Sequence, residues 1–222
     1  MAASPLIVPA MITGSVALVG GVLFLVKQQE KKRTEAMQLA AQLMGFSFGG
    51  LTDGADIGDF PLYRHGRSKK MRNSMEGTLG GRAAVIGDYS YYVQSGKSGH
   101  TVVQTVVLFK DAVTGLPDFS LSPESVFHRL AEVFGYQDID FDTNEEFSKK
   151  YLLRGQDENA IRRLFTSDAL SLLASQPGWS VEAVGGRVLV YKGYKSAEAA
   201  QLPAFAADTL RIAGALSPRV PS

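Results

Sequence analysis

The sequence predicts an α+β protein with an N-terminal transmembrane helix followed by one domain that has a mainly antiparallel sheet and several helices. Two observations predict this fold. Residues 5–26 carry no charged side chain. Beyond them, strand patterns joined by glycine-containing turns are interleaved with helical patterns. Because no regular strand-helix-strand repeat is visible, a mainly antiparallel sheet is favoured over a parallel one.

The apolar segment 5–26 predicts a membrane-spanning helix, since at about 1.5 Å per residue it covers the roughly 30 Å hydrocarbon core of a bilayer. A cleaved signal peptide is the alternative, but signal peptides carry positive charge before a shorter apolar stretch. Because Lys and Arg beside a spanning helix stay in the cytoplasm, we expect a single-pass inner-membrane protein with its N-terminus outside and its domain in the cytoplasm. The flanking basic residues are Lys27, Lys31, Lys32 and Arg33.

The boundaries that follow are an anchor at 1–26, a juxtamembrane helix at 27–45, a domain at 46–216 and a tail at 217–222. The juxtamembrane helix is expected to end where Gly45 can cap it. The chain holds 23 basic and 22 acidic residues, a formal net charge of +1. No global field therefore recruits nucleic acid.

Within the domain, glycine and proline positions divide the chain into strands and helices. The predicted strands are 60–64, the hairpin 77–93 with 101–110, and the hairpin 179–184 with 187–192. The predicted helices are 122–135, 157–165, 167–174 and a last one between Ser196 and Ser217, with Pro203 in its first turn or at a kink.

Two local patterns resemble ligand-binding loops but lack required residues at the spacing that such loops need. Gly96-Lys97-Ser98 lacks the glycine that a phosphate-binding loop needs five positions earlier, and a strand pattern follows it instead of a helix. The acidic run lacks the glycine and glutamate that complete a calcium loop, so an acidic connection capping a short helix is the better interpretation. Its oxygen-bearing residues are Asp138, Asp140, Asp142, Asn144 and Glu146.

No catalytic motif is visible, and no cofactor or metal is expected. His65, His100 and His128 are too far apart in sequence to form a local metal motif. Asp88 stands close to three tyrosines and could act as a general base only if the fold brings a partner to it.

Two further patterns indicate interactions. Ala10, Gly14, Ala17 and Gly21 share one face of the N-terminal helix, where small residues permit close approach of another transmembrane helix. The densest basic cluster could contact anionic lipid headgroups, or it could be a solvated loop. Its members are Arg64, Arg67, Lys69, Lys70 and Arg72, next to His65.

The soluble part, from about 43 to 216, resembles a group of uncharacterised bacterial membrane-anchored proteins. The segments that carry the resemblance are 87–91 (GDYSY), 104–106 (QTV), 119–124 (FSLSPE) and 147–153 (FSKKYLL). The resemblance implies a bacterial, membrane-tethered protein and brings no activity or cofactor with it.

The function expected from these patterns is that of a non-enzymatic accessory or assembly subunit of a larger bacterial membrane complex. Its expected partners are the lipid bilayer and other transmembrane helices. Two alternatives stay open: a small membrane-tethered enzyme whose groups, such as Asp88 with His100 or His128, converge only in the fold, and a module that binds anionic lipid surfaces.

Overall fold

An eight-stranded antiparallel sheet organises the described part of the chain. The computed structural model describes residues 7–52, 59–96, 98–127 and 137–218; the side chains at 7–23, 51, 52, 95 and 127 are outside this description. The strand order is β1-β2-β3-β4-β8-β7-β5-β6. The strands are β1 (Ser47–Thr52), β2 (Arg67–Leu79), β3 (Arg82–Ser95), β4 (Ser98–Phe109), β5 (Phe119–Pro123), β6 (Tyr151–Gly155), β7 (Trp179–Val184) and β8 (Arg187–Lys192).

Helices follow the strands at several points of the chain. They are α1 (Ile7–Leu43), α2 (Pro61–Arg64), α3 (Glu124–Phe127), α4 (Glu145–Lys150), α5 (Glu158–Leu164), α6 (Ser167–Ser175) and α7 (Leu202–Ala215), with a 3₁₀ turn at Ala199–Gln201. Asp157 and Thr166 cap α5 and α6 by accepting hydrogen bonds from backbone amides three residues later. Pro203 lies in the first turn of α7. These caps and the β7–β8 hairpin confirm the helices and strands predicted for 157–192.

Three predicted elements differ from the structure. The predicted strand 60–64 is instead the helical turn α2 (Pro61–Arg64) with Phe60 as its N-cap, because Pro61 at the first helical position has the fixed φ that a helix start needs. The predicted strand 77–93 is interrupted by the turn at Gly80 and Gly81, so its first residues belong to β2. In the predicted helix 122–135, residues 122 and 123 belong to β5, α3 covers Glu124–Phe127, and 128–136 lie outside the described residues.

The predicted N-terminal transmembrane helix is wrong. No helix in the described part of the chain is long and apolar enough to cross a membrane. From Phe24 onward, where its side chains are described, α1 carries six charged residues within 13 positions. The expected topology, with the N-terminus outside and the domain in the cytoplasm, depended on that helix and therefore loses its basis.

The two faces of the sheet have separate apolar cores. On one face, Met37, Ala40 and Ala41 of α1 and the buried residues of α5, α6 and α7 pack on the strands. On the other, a smaller cluster rich in tyrosine is formed mainly by β3, β4 and β8. Because side chains alternate along a strand, neighbouring residues of β3 serve different cores: Asp88 faces α1, whereas Tyr89 faces the smaller cluster.

Candidate functional site

The side chain of Asp88 is the centre of a polar cluster between α1 and the sheet. Asp88 is 5% exposed. Arg33 donates to it through two bonds, Nε to Oδ2 at 3.1 Å and Nη2 to Oδ1 at 2.9 Å. Paired bonds of this kind give arginine–carboxylate contacts their geometric specificity. The contact therefore fixes both the position and the rotation of α1 on the sheet.

Three more side chains complete this cluster, which we call the clamp: Arg33, Thr34, Asn73, Asp88 and Thr105. Thr105 Oγ1 donates to Asp88 Oδ1 at 2.9 Å, and Asn73 Nδ2 donates to Asp88 Oδ2 at 2.9 Å. Thr34 Oγ1 donates to Asn73 Oδ1 at 2.8 Å. The buried carboxylate thus has a donor on each of three elements, α1, β2 and β4, as a buried charge requires.

The clamp makes α1 run along β2 in the same direction. Thr34 contacts Asn73, and one helical turn earlier Glu30 pairs with Arg72. Positions before Glu30 on α1 therefore lie toward the start of β2 and toward the tip of the β3–β4 hairpin.

In this arrangement, the basic residues of α1 and those at the start of β2 lie at one end of the domain, although about 40 positions separate them in the sequence. The residues of α1 from Phe24 to Lys32 are all exposed, and so are the first residues of β2. We call the exposed cations of this surface the basic end; they are Lys27, Lys31 and Lys32 of α1 with Arg67, Lys69 and Lys70 of β2.

The other predicted basic residues lie beside this surface. Arg64 is exposed on α2, and its Nη2 donates to the backbone oxygen of Asp59. Arg72 is half-buried and is neutralised by Glu30. Arg33, predicted to flank a membrane, is committed to the clamp.

Asp88 does not meet His100, one of the two histidines that the enzyme alternative names. Its hydrogen-bond partner across the strands is Thr105, whereas His100 pairs in register with Val93, five residues along the strand. At about 3.4 Å per residue, Asp88 and His100 are roughly 17 Å apart. His128 lies outside the described residues. Since Arg33 of α1 donates to both carboxylate oxygens, the role of Asp88 is to hold α1 on the sheet.

The predicted helix-packing residues Ala10, Gly14, Ala17 and Gly21 belong to α1, but their side chains lie outside the described residues. Their role stays a prediction. Lys97, in the glycine-containing turn that resembled a phosphate-binding loop, is also outside them, and β4 begins at Ser98 directly after it.

The acidic run caps backbone groups, as its spacing predicted. Asn144 Oδ1 accepts from the Phe147 amide at the start of α4, and Asp138 Oδ1 accepts from the Leu153 amide of β6 at 2.8 Å. Burial raises the pKa of Asp138. Among the described residues, no group of three or more His, Cys, Asp or Glu side chains could hold a metal ion.

A second buried carboxyl, which sequence reasoning missed, lies on the other face of the sheet. Glu182 is 2% exposed in the middle of β7. Its carboxylate accepts from the Leu62 amide at 3.1 and 3.0 Å and from Tyr191 Oη at 2.8 Å. The signal that could have revealed it is a lone acidic residue in the otherwise apolar strand Trp179–Val184.

A shallow cleft of about 410 Å³ lies between β5 and α4, where Glu124, Lys149, Lys150 and Gly178 line it. Lys149 and Lys150 pair with Glu145 and Glu146 on the same helix, one turn away. The two lysines of the cleft are therefore neutralised within their own helix, and none of its described lining residues is a buried polar one.

No protein-family model matches the chain, and no curated protein is significantly similar to it. The fold is similar to that in the crystal structure of the mycobacterial trehalose monomycolate transport factor A, TtfA. Its TM-score is 0.59 at 13% sequence identity, and the match covers 86% of this chain and 98% of the other. The likeness extends over nearly the whole of that domain and concerns the fold.

Proposed function

We propose that this protein is a non-enzymatic accessory factor of a bacterial membrane complex, and that its basic end lies against an anionic membrane surface. The observation that carries the proposal is the clamp, because Arg33 and Asp88 hold α1 where its lysines join those of β2. The shared fold with a transport factor suggests transport as the process that the protein assists.

The charges of the basic end support binding to lipid headgroups. Each basic residue near an anionic surface contributes about 1 kcal/mol. Lys31 is paired with Glu35, so five exposed cations remain on this end, and these suffice for reversible binding at moderate ionic strength. The carboxylates in this region, Glu30 and Glu35, are already paired with Arg72 and Lys31.

Vesicle sedimentation tests this function. The full chain should bind vesicles that contain anionic lipid, bind neutral vesicles weakly, and dissociate as salt is raised, since screening acts on exposed charges. Replacing Lys27, Lys32 and Lys70 by glutamine should weaken binding roughly 100-fold, at about 1 kcal/mol per residue.

The matched control removes three cations from the opposite edge of the sheet, at Lys149, Arg162 and Arg163. These residues belong to α4 and α5, which pack on β6. The control variant should bind like the unchanged protein. Equal loss in both variants, or equal binding to neutral and anionic vesicles, would contradict the proposal.

A further inference from the structure

The smaller apolar cluster is covered by a short segment that we call the strap, residues 59–66, which includes α2. Phe60 and Leu62 of the strap are 0% and 1% exposed. The other fully buried members of this cluster lie on the strands of the sheet: Met71, Tyr89, Tyr91, Val102, Val106, Leu108, Leu189 and Tyr191. Within the described residues, the strap thus covers the part of this face that contains Glu182, and Tyr194, which follows β8, packs on another part of the cluster.

A carboxyl group holds the centre of the strap. Both oxygens of Glu182 accept from the backbone amide of Leu62, and Tyr191 Oη donates to Oε1. A carboxylate in apolar surroundings is costly in its charged form, and two neutral donors compensate only part of the lost hydration. The strap therefore covers the Glu182 carboxyl, and ionisation of that carboxyl disfavours the covered state.

Titratable and charged groups approach Glu182 from the strap and from the strands of the sheet. The strap contributes Tyr63 and the Arg64 guanidinium, and Lys69 of β2 donates to the Tyr63 carbonyl. On the strands, the titratable neighbours of Glu182 are Tyr89 and Tyr91 of β3 and Tyr191 of β8, and the Arg187 guanidinium of β8 lies over the Phe60 ring of the strap.

We propose that the strap is a proton-controlled latch, which is closed while Glu182 is protonated and loosens when Glu182 ionises. A protonated carboxyl still accepts the Leu62 amide and no longer carries a buried charge. An ionised carboxyl regains hydration only if the strap moves away. This proposal is independent of membrane binding by the basic end.

The direction of the pH dependence follows from where the proton is bound. Burial raises the pKa of Glu182 from 4.5 to about 7, against smaller lowering effects of the Leu62 amide, Tyr191 and Arg64. The closed form therefore keeps its proton between about pH 4.5 and pH 7, whereas the open form loses it. Closure weakens as pH rises through this window and changes little above it.

Hydrogen exchange of the full chain, measured by mass spectrometry on peptides covering the strap, tests the latch. After correction for the intrinsic pH dependence of exchange, protection of the strap should fall on the order of 30-fold between about pH 5.5 and pH 8.5. Glu182→Gln imitates the protonated group and should keep the strap protected at both pH values. Peptides from α7 should not change, which shows that the domain stays folded.

A second variant tests the role of the hydrogen bond. Tyr191→Phe removes a donor that favours the ionised carboxylate, so the midpoint of strap opening should move to higher pH. Exposed Glu124→Gln should leave the midpoint unchanged. Strap protection that is independent of pH in the unchanged protein, or a pH dependence that persists in Glu182→Gln, would overturn the latch. A midpoint that does not rise in Tyr191→Phe would also overturn it.

Discussion

Asn73 shows how a single residue supports the clamp at a conformational cost. Its φ of 51° lies in the left-handed region, which non-glycine residues seldom adopt and asparagine tolerates better than most. The β2–β3 register shifts between Arg72 and Met75, so the irregularity is centred on this residue. The conformation turns the Asn73 amide toward Asp88 and Thr34, and their hydrogen bonds offset the strain.

Asp88→Asn should destabilise the domain by about 3 kcal/mol, because it leaves a partly buried arginine without its counter-charge. Breaking a buried ion pair costs about 3 to 5 kcal/mol, and the lower value applies because Arg33 retains some contact with water. The Arg33 side chain is 24% exposed and the Asp88 side chain 7%. Urea unfolding measures the loss.

The control for this variant is Glu76→Gln, which breaks an exposed ion pair with Lys110. Both side chains of that pair are about half exposed or more, at 63% and 49%. Exposed pairs contribute about 1 kcal/mol or less. Equal losses in the two variants would show that the clamp is no more important than a surface ion pair.

At the scale of elements, a helix or strand was predicted correctly wherever its turn or capping residues and its hydrophobic periodicity indicated the same boundaries. The β7–β8 hairpin has Gly185 and Gly186 at its turn, and α5 and α6 have capping side chains, so all three were predicted at nearly the right positions. Residues 60–64 of the strap were predicted as a strand because four of them are apolar or aromatic, although Pro61 favours a helical start. The first half of β2 was missed because its four basic residues hide the alternation of apolar and polar side chains.

Gly77 of β2 packs against the connection between α1 and β1, where Phe46 lies. A Cβ atom at this position would lie 2.7 Å from the Phe46 ring, which is 6% exposed. Gly77→Ala should therefore destabilise the domain by about 1 to 3 kcal/mol through overpacking. Thermal unfolding would reveal this as a lower Tm.

Gly214→Ala in α7 is the matched control for Gly77→Ala. A Cβ atom there would meet nothing within 4 Å. Because alanine is the better helix former, this change should stabilise the domain by about 0.5 to 1 kcal/mol. If both variants were stabilised, Phe46 would not be packed against β2 as described.

At the scale of the whole molecule, a nearly neutral chain carries a strongly uneven charge. The net charge of +1 indicated no long-range field, and the basic end arises only when the clamp aligns α1 with β2. The sequence identified two groups of basic residues, one at 27–33 and one at 64–72, and indicated that both could contact a membrane. It could not show that the fold brings the two groups to one end of the domain. Nor could it identify Asp88 as the partner of Arg33, 55 positions away.

The orientation of the domain on a membrane tests the central claim most directly. The chain contains no cysteine, so one introduced cysteine can carry a fluorescent label at a chosen site. Gln28→Cys places the label on α1 at the basic end, and Asn159→Cys places it on α5 near β6, both at exposed positions. Six strand spacings separate β2 from β6, roughly 30 Å across the sheet.

On anionic vesicles whose headgroups carry a quencher, fluorescence at Gln28→Cys should be quenched several-fold more strongly than at Asn159→Cys. Adding Asp88→Asn should reduce the difference, because α1 is then no longer fixed beside β2. Equal quenching at the two sites, or stronger quenching at Asn159→Cys, would contradict the claim that the clamp presents the basic end to the membrane.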